Sequence, residues 1–195
     1  MRHNGISEAE MHADNVVIEG YVDGLEALQT TANATLLNNS FSAAVTLTRT
    51  ADTNAYAAND VLGAATGSTA ALTFSSMGTS GKRIMITSCA LEIDATAVIS
   101  GQTSYRLYLY NVTPPSALGD NAAWDLPSGD RASFLGYVDL GTPVDLGSTL
   151  YVEANNINKQ IVLSSANLFA YLVTNGAYTP ASATVHVITL HAIGV

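Results

Sequence analysis

From Phe41 to the C-terminus, apolar and polar positions alternate in short runs separated by turn-forming residues, the grammar of antiparallel β-structure. Val45-Thr46-Leu47-Thr48-Arg49-Thr50 sets Val45, Leu47 and Arg49 on one side and the threonines on the other. Ala70 to Phe74 predicts a short strand closed by the flexible connection Ser75 to Gly81, and Arg83 to Ile93 predicts the longest strand. Tyr105 to Tyr110 is the strongest signal. Leu107 and Leu109 fall on one face and Arg106, Tyr108 and Tyr110 on the other, so this strand is central or meets a partner on its outer face.

Pro114-Pro115 stops that run, and a long loop follows to about Asp130. Strand character resumes over Ala132 to Val138, Thr149 to Glu153, Gln160 to Leu163, Leu168 to Val173 and Thr184 to Ile193. The pattern predicts about eight to ten strands and no amphipathic helix long enough to cover a parallel sheet. The expected fold is all-β: an antiparallel two-sheet sandwich of jelly-roll type.

Residues 1–40 read differently. They carry six of the sixteen acidic residues, and their apolar positions are spread through Val16-Val17-Ile18, Tyr21-Val22, Leu25 and Leu28. This segment is expected to be an N-terminal arm, with a short helix over Gly24 to Ala34 weakened by Thr30-Thr31 and Asn33. The alternative is that Val16 to Val22 forms an edge strand of the main domain; as an arm, Val16-Val17-Ile18 and Tyr21-Val22 offer apolar anchors for strand addition to a partner. The domain organisation is thus an arm, 1–40, and a β-sandwich domain, 41–195.

Composition narrows the function. The 195 residues support one core. Only 12% of them are charged, against about 25% in typical domains. A surface so poor in charge leans towards a subunit covered by neighbours. The net charge of −9 with seven scattered Lys and Arg disfavours direct nucleic-acid binding. The single cysteine, Cys89, lies in an apolar run and reads as a buried thiol in a protein folded in a reducing compartment. No run reaches the 18 or so apolar residues of a membrane span, and the N-terminus lacks a signal-peptide core.

Candidate chemistry is sparse. His3 and His12 lie in the arm, while His186 and His191 are five apart on one strand and face opposite ways, which denies them a shared metal. Asp120, Asp125 and Asp130, with Asn121, offer hard oxygen ligands in one loop, but their spacing is not that of an EF-hand; Asx-turns are the expected reading. Asp52, Asn54 and Asp60 make a weaker version of the same case. Neither Ser100 nor Cys89 has a base set by a local pattern, and Glu92 and Glu153 are a carboxylate pair only if the fold joins them. Gly63 to Thr69 is P-loop-like but lacks the lysine. No catalytic, cofactor-binding or metal residue is therefore assigned. Tyr108, Tyr110, Tyr151, Tyr171, Tyr178 and Trp124 suit either a sugar platform or a protein interface.

Thr48 to Gly63, with Tyr105 to Tyr110, the Pro114-Pro115 break, Asp120-Asn121-Ala122-Ala123-Trp124 and Tyr137-Val138, resembles tailed-phage virion proteins of the head decoration, or cement, kind. The resemblance spans roughly residues 45–195. It implies a non-enzymatic β-sandwich, often a homotrimer, that binds the major capsid protein on the outside of the capsid and bridges its subunits, after assembly in the host cytoplasm. A tail or baseplate component and a carbohydrate-binding module are the alternatives.

Overall fold

The computed structural model describes residues 7–37, 39–64 and 69–195. The chain divides into two compact units, Met1–Asn39 and Ser40–Val195.

Within the first unit, α1 (Glu8–Leu37) is one helix of 30 residues, about 45 Å long at 1.5 Å per residue. A capping box starts it: the Ser7 backbone N–H donates to Glu10 Oε2 (2.7 Å) and the Glu10 N–H donates to Ser7 Oγ (3.3 Å). The Ser7 backbone and side-chain bonds hold the Glu10 carboxyl below its ordinary pKa. The helix is thus far longer than the segment expected from Gly24 to Ala34, and Val16 to Val22 is helical rather than an edge strand. Thr30 and Thr31 are accommodated by donating to the Glu26 and Ala27 carbonyls one turn back (2.8 and 2.9 Å).

The second unit holds ten strands among the described residues: β1 (Ser40–Thr48), β2 (Val61–Leu62), β3 (Leu72–Phe74), β4 (Arg83–Ile93), β5 (Tyr105–Tyr110), β6 (Phe134–Gly141), β7 (Val144–Asp145), β8 (Leu150–Val162), β9 (Leu168–Thr174) and β10 (Val185–Gly194). One sheet runs β1-β10-β4-β8-β7. The other runs β2-β9-β5-β6, with β3 pairing β9 beyond the end of β2. Every strand pair is antiparallel, and most connections cross from one sheet to the other, which makes the all-β sandwich a jelly roll.

The core follows from strand alternation. Leu107 and Leu109 of β5 face inward with Leu168, Ala170 and Leu172 of β9, against Ile188 and Leu190 of β10 and Leu91 and Ile93 of β4. A bulge in β4 between Ile86 and Ser88 changes its parity, so that Ile84 and Ile86 before it and Cys89, Leu91 and Ile93 after it all stay inside. β8 corrects the expectation of two strands at 149–153 and 160–163. The strand is continuous, because Asn156 (φ 57°) and Asn158 (φ 51°) take the left-handed conformation within it while pairing with β4 resumes on both sides. β5 is central, flanked by β9 and β6.

His186 and His191 do face opposite sides of β10: His186 is 1% exposed, His191 open to solvent. Beside His186 is a cavity of about 20 Å³ bordered by Gln102, Tyr178 and Thr184, and its Nδ1 has no hydrogen-bond partner among the described residues. Burial lowers its pKa from 6.5 to about 4. The unfolded chain therefore binds a proton that the folded one refuses between those values. Stability is full above pH 6.5, falls as the pH drops towards 4, and levels off below that. Urea unfolding at pH 7 and pH 4 should show the wild type losing about 3 kcal/mol more than His186→Gln across this window.

Candidate interaction surfaces

Arg49 ends the inward-facing row Val45, Leu47, Arg49, and its side chain is 0% exposed. A guanidinium there requires paired acceptors. Its Nε donates to the Tyr56 hydroxyl (2.5 Å), which donates to Asp120 Oδ1 (2.6 Å). Nη2 lies 3.2 Å from Asp52 Oδ1 and 3.7 Å from Asp120 Oδ2, and Nη1 donates to the Ala181 carbonyl (3.1 Å). Burial raises the Tyr56 pKa, and the hydrogen bond to Asp120 adds to it.

Gly63 belongs to this cluster. Its N–H donates to Asp120 Oδ1 (2.8 Å), and a Cβ on it would stand 2.9 Å from the Asp120 backbone nitrogen and 2.8 Å from the Ala70 Cβ. Only glycine fits so close an approach. The P-loop-like stretch thus serves as a clamp on Asp120 at its first residue, while residues 65–68 lie outside the described residues.

The three loop aspartates do not converge. Asp120 joins Arg49 and Tyr56, Asp125 accepts from the Leu126 N–H (2.8 Å), and Asp130 accepts from the Ser116 N–H (3.2 Å) and hydroxyl (3.0 Å). Asp52 accepts from the Asn54 N–H (3.1 Å), whereas Asp60 accepts from the Ala57 N–H (2.6 Å). Among the described residues no group of three or more His, Cys, Asp or Glu is placed to hold a metal ion. Cys89 is fully buried and its thiol is pushed up to about 12 by that burial, while Ser100 is exposed at a turn. His12 is exposed on α1, and His3 lies outside the described residues.

The loop between β5 and β6 is seated as an irregular extra strand. Val61 N–H donates to the Ala122 carbonyl (2.8 Å), Asn121 N–H to the Val61 carbonyl (2.9 Å) and Trp124 N–H to the Asn59 carbonyl (2.8 Å). Trp124 then stacks on Tyr108 with ring centroids 3.8 Å apart. Tyr108, Tyr110 and Tyr171, with Val61 and Val173, form a second apolar cluster on the outer face of the β5–β9 sheet, beneath Leu118, Trp124 and Leu126. Tyr178 is buried at the end of the main core, where the Tyr105 hydroxyl donates to its hydroxyl (3.0 Å) and Gln102 Nε2 donates to that of Tyr105 (2.8 Å). The tyrosines named as a sugar platform or partner face are therefore covered by the protein's own loop or core, Tyr151 excepted.

The outer face of the other sheet is open. β1 presents Ser40, Ser42, Ala44, Thr46 and Thr48, all exposed; β10 beside it presents Val185, Val187, Thr189, His191 and Ile193. Neither strand brings an Asp, Glu, Lys or Arg to this face. Glu92 and Glu153 do meet on it: Glu92 pairs with Tyr151 and Ala90 with Glu153, which makes the carboxylates diagonal neighbours on adjacent strands. Both are exposed, and the Tyr151 hydroxyl donates to Glu153 (3.0 Å).

No family model matches this chain, and no curated protein does. Among solved structures, it overlaps a chain in the capsid of Ralstonia phage GP4, 12% identical, over 79% of this chain and 82% of that one, with a TM-score of 0.37. A chain of Desmodium yellow mottle tymovirus is 14% identical over 80% and 86%, with a TM-score of 0.26. A bacterial lipoprotein from Bacteroides thetaiotaomicron is 9% identical over 81% and 85%, with a TM-score of 0.32. Overlaps of this size assign neither function nor partner, and the fold rests on the strand pairing itself. No helix among the described residues is long and apolar enough to cross a membrane.

Two measurements follow from this geometry. Asp120→Ala strands the Tyr56 hydroxyl and the Gly63 N–H and takes one of two carboxylates from Arg49, and should cost about 3–5 kcal/mol in urea unfolding; Arg49→Met/Asp120→Leu should cost much less than the sum of the single changes. Trp124 is the sole tryptophan. Trp124→Ala should destabilise by about 2–3 kcal/mol, since the ring is only partly buried, and should raise the accessibility of Tyr108 to nitration.

Proposed function

We propose that this protein is a non-enzymatic structural component of a phage virion, which binds the major capsid protein on the outside of the capsid as a homotrimer and bridges neighbouring subunits. The observation that carries this reading is the open β1–β10 face, uncharged across two strands and left uncovered by its own unit, while the β5–β9 part of the opposite sheet is covered by a loop. Small Ser, Thr and Ala side chains allow close approach of a second protein surface, and without fixed charge there is little to desolvate on contact. The resemblance of residues 45–195 to head decoration proteins points the same way.

A carbohydrate-binding role needs an exposed aromatic row, and the tyrosines that suggested one, Tyr151 excepted, lie under Trp124 and in the core. A tail or baseplate component would use the same kind of face, and electron microscopy of particles carrying labelled protein separates the two locations. Thr46→Arg/Thr189→Arg places two large cations on the open face and should weaken co-sedimentation with undecorated capsids by about tenfold or more, with circular dichroism unchanged. Tyr137→Ala, on the other sheet, should bind as the wild type does. Undiminished binding by the arginine variant would overturn the assignment of this face.

A further inference from the structure

We propose that α1 is a parallel coiled-coil strand through which three copies of this chain join along a seam from Met11 to Ala32. The proposal rests on the trimer reading above, but not on the capsid one. Along α1, Met11, Ile18, Leu25 and Ala32 recur every seven residues, and Asp14, Tyr21 and Leu28 recur at the same interval three residues later. That is an a/d heptad pattern over three repeats, with the 3.5-residue period that a supercoiled pair or trio requires and an isolated 3.6-residue helix does not.

The seam is bare. Tyr21 is 72% exposed, Leu28 68%, Leu25 65% and Ile18 58%. A helix in water draws most of its stability from packing its apolar face, and α1 also contains Gly20 and Gly24, each costing about 1 kcal/mol relative to alanine. A Cβ at either glycine would meet nothing within 4 Å, so neither is demanded by packing within the first unit. The missing partner must supply a face of matching length and repeat.

The matching seven-residue repeat selects another copy as that partner, and the charge pattern permits it. Residues 7–37 contain Glu8, Glu10, Asp14, Glu19, Asp23 and Glu26 and no Lys or Arg. Glu19, Asp23 and Glu26 occupy b and f positions, turned away from the seam. In a parallel register, the positions flanking it bring Glu10 to Asn15, Val17 to Val22 and Gly24 to Gln29, with no like charges opposed. Val17 and Val22 widen the apolar stripe beyond a and d, which suits a bundle of more than two helices. The one acid in the seam is Asp14; three copies bring three carboxylates to the axis there, a layer that weakens the assembly.

Sedimentation equilibrium of the full chain at micromolar concentration tests this. The wild type should be a trimer, and Ile18→Asn/Leu25→Asn a monomer with the β-sandwich signal intact and less helix. Val16→Asn, at an f position, should stay trimeric. Asp14→Leu should lower the dissociation concentration by about tenfold or more, because it removes the like-charge layer. Leu25→Cys should crosslink to its own counterpart under mild oxidation, as only a parallel arrangement allows; the native Cys89 is buried and does not compete. A monomeric or dimeric wild type, a seam variant that remains trimeric, or an f-position variant that is equally disruptive would overturn the proposal. Weaker assembly of Asp14→Leu would also overturn it, by pointing to a cationic partner. All of these are read without particles, so failure to bind capsids leaves the result standing.

Discussion

A guanidinium held inside a β-sandwich must be given acceptors, and meeting that demand at Arg49 organises much of this molecule. Asp52 comes from the next turn, Tyr56 from the segment beyond it, Asp120 from the loop between β5 and β6, and the Ala181 carbonyl from the approach to β10. The acceptors lie on three connections, β1–β2, β5–β6 and β9–β10. Because Asp120 is also gripped by the Gly63 N–H, the loop is fixed alongside β2, and from there its backbone reaches Val61 and Asn59.

That attachment explains why the two outer faces differ. Once Asp120 is pinned, Trp124 falls four residues later over Tyr108, and the aromatic side of the β5–β9 sheet becomes a second small core. The β1–β10 side receives no such cover from its own unit and carries Ser, Ala and Thr on β1 with no Asp, Glu, Lys or Arg on either strand. One face is thus covered by a loop of its own unit, and the other is not.

Strands β4, β5, β9 and β10 were legible in the sequence to within a residue or so at most ends, because a period of two with β-branched and aromatic residues has few other interpretations. The division of β8 into two runs was misleading for a local reason: Asn-rich residues 155–158 read as a turn, and only pairing with β4 carries the strand through them. For α1, Val16-Val17-Ile18 and Tyr21-Val22 have strand propensity when taken a few residues at a time. Its two helix signals, the Ser7–Glu10 capping box and a heptad spacing that emerges only over several turns, are both present in the sequence.

The sequence by itself thus determined the class of fold and the alternating faces of β1, β5 and β10, since alternation and turn chemistry act over a few residues. It also determined the scarcity of charge and the seven-residue repeat of α1. Only the tertiary structure decided that Arg49 and Asp120 meet, that Gly63 must be a glycine, that Trp124 lies on Tyr108 rather than on a neighbour, and that Glu92 and Glu153 share an open face. These are contacts between segments remote in sequence, created by crossing connections between sheets. Their energies come from burial and from pairing polar groups within it, and neither exists until the two sheets have closed on each other.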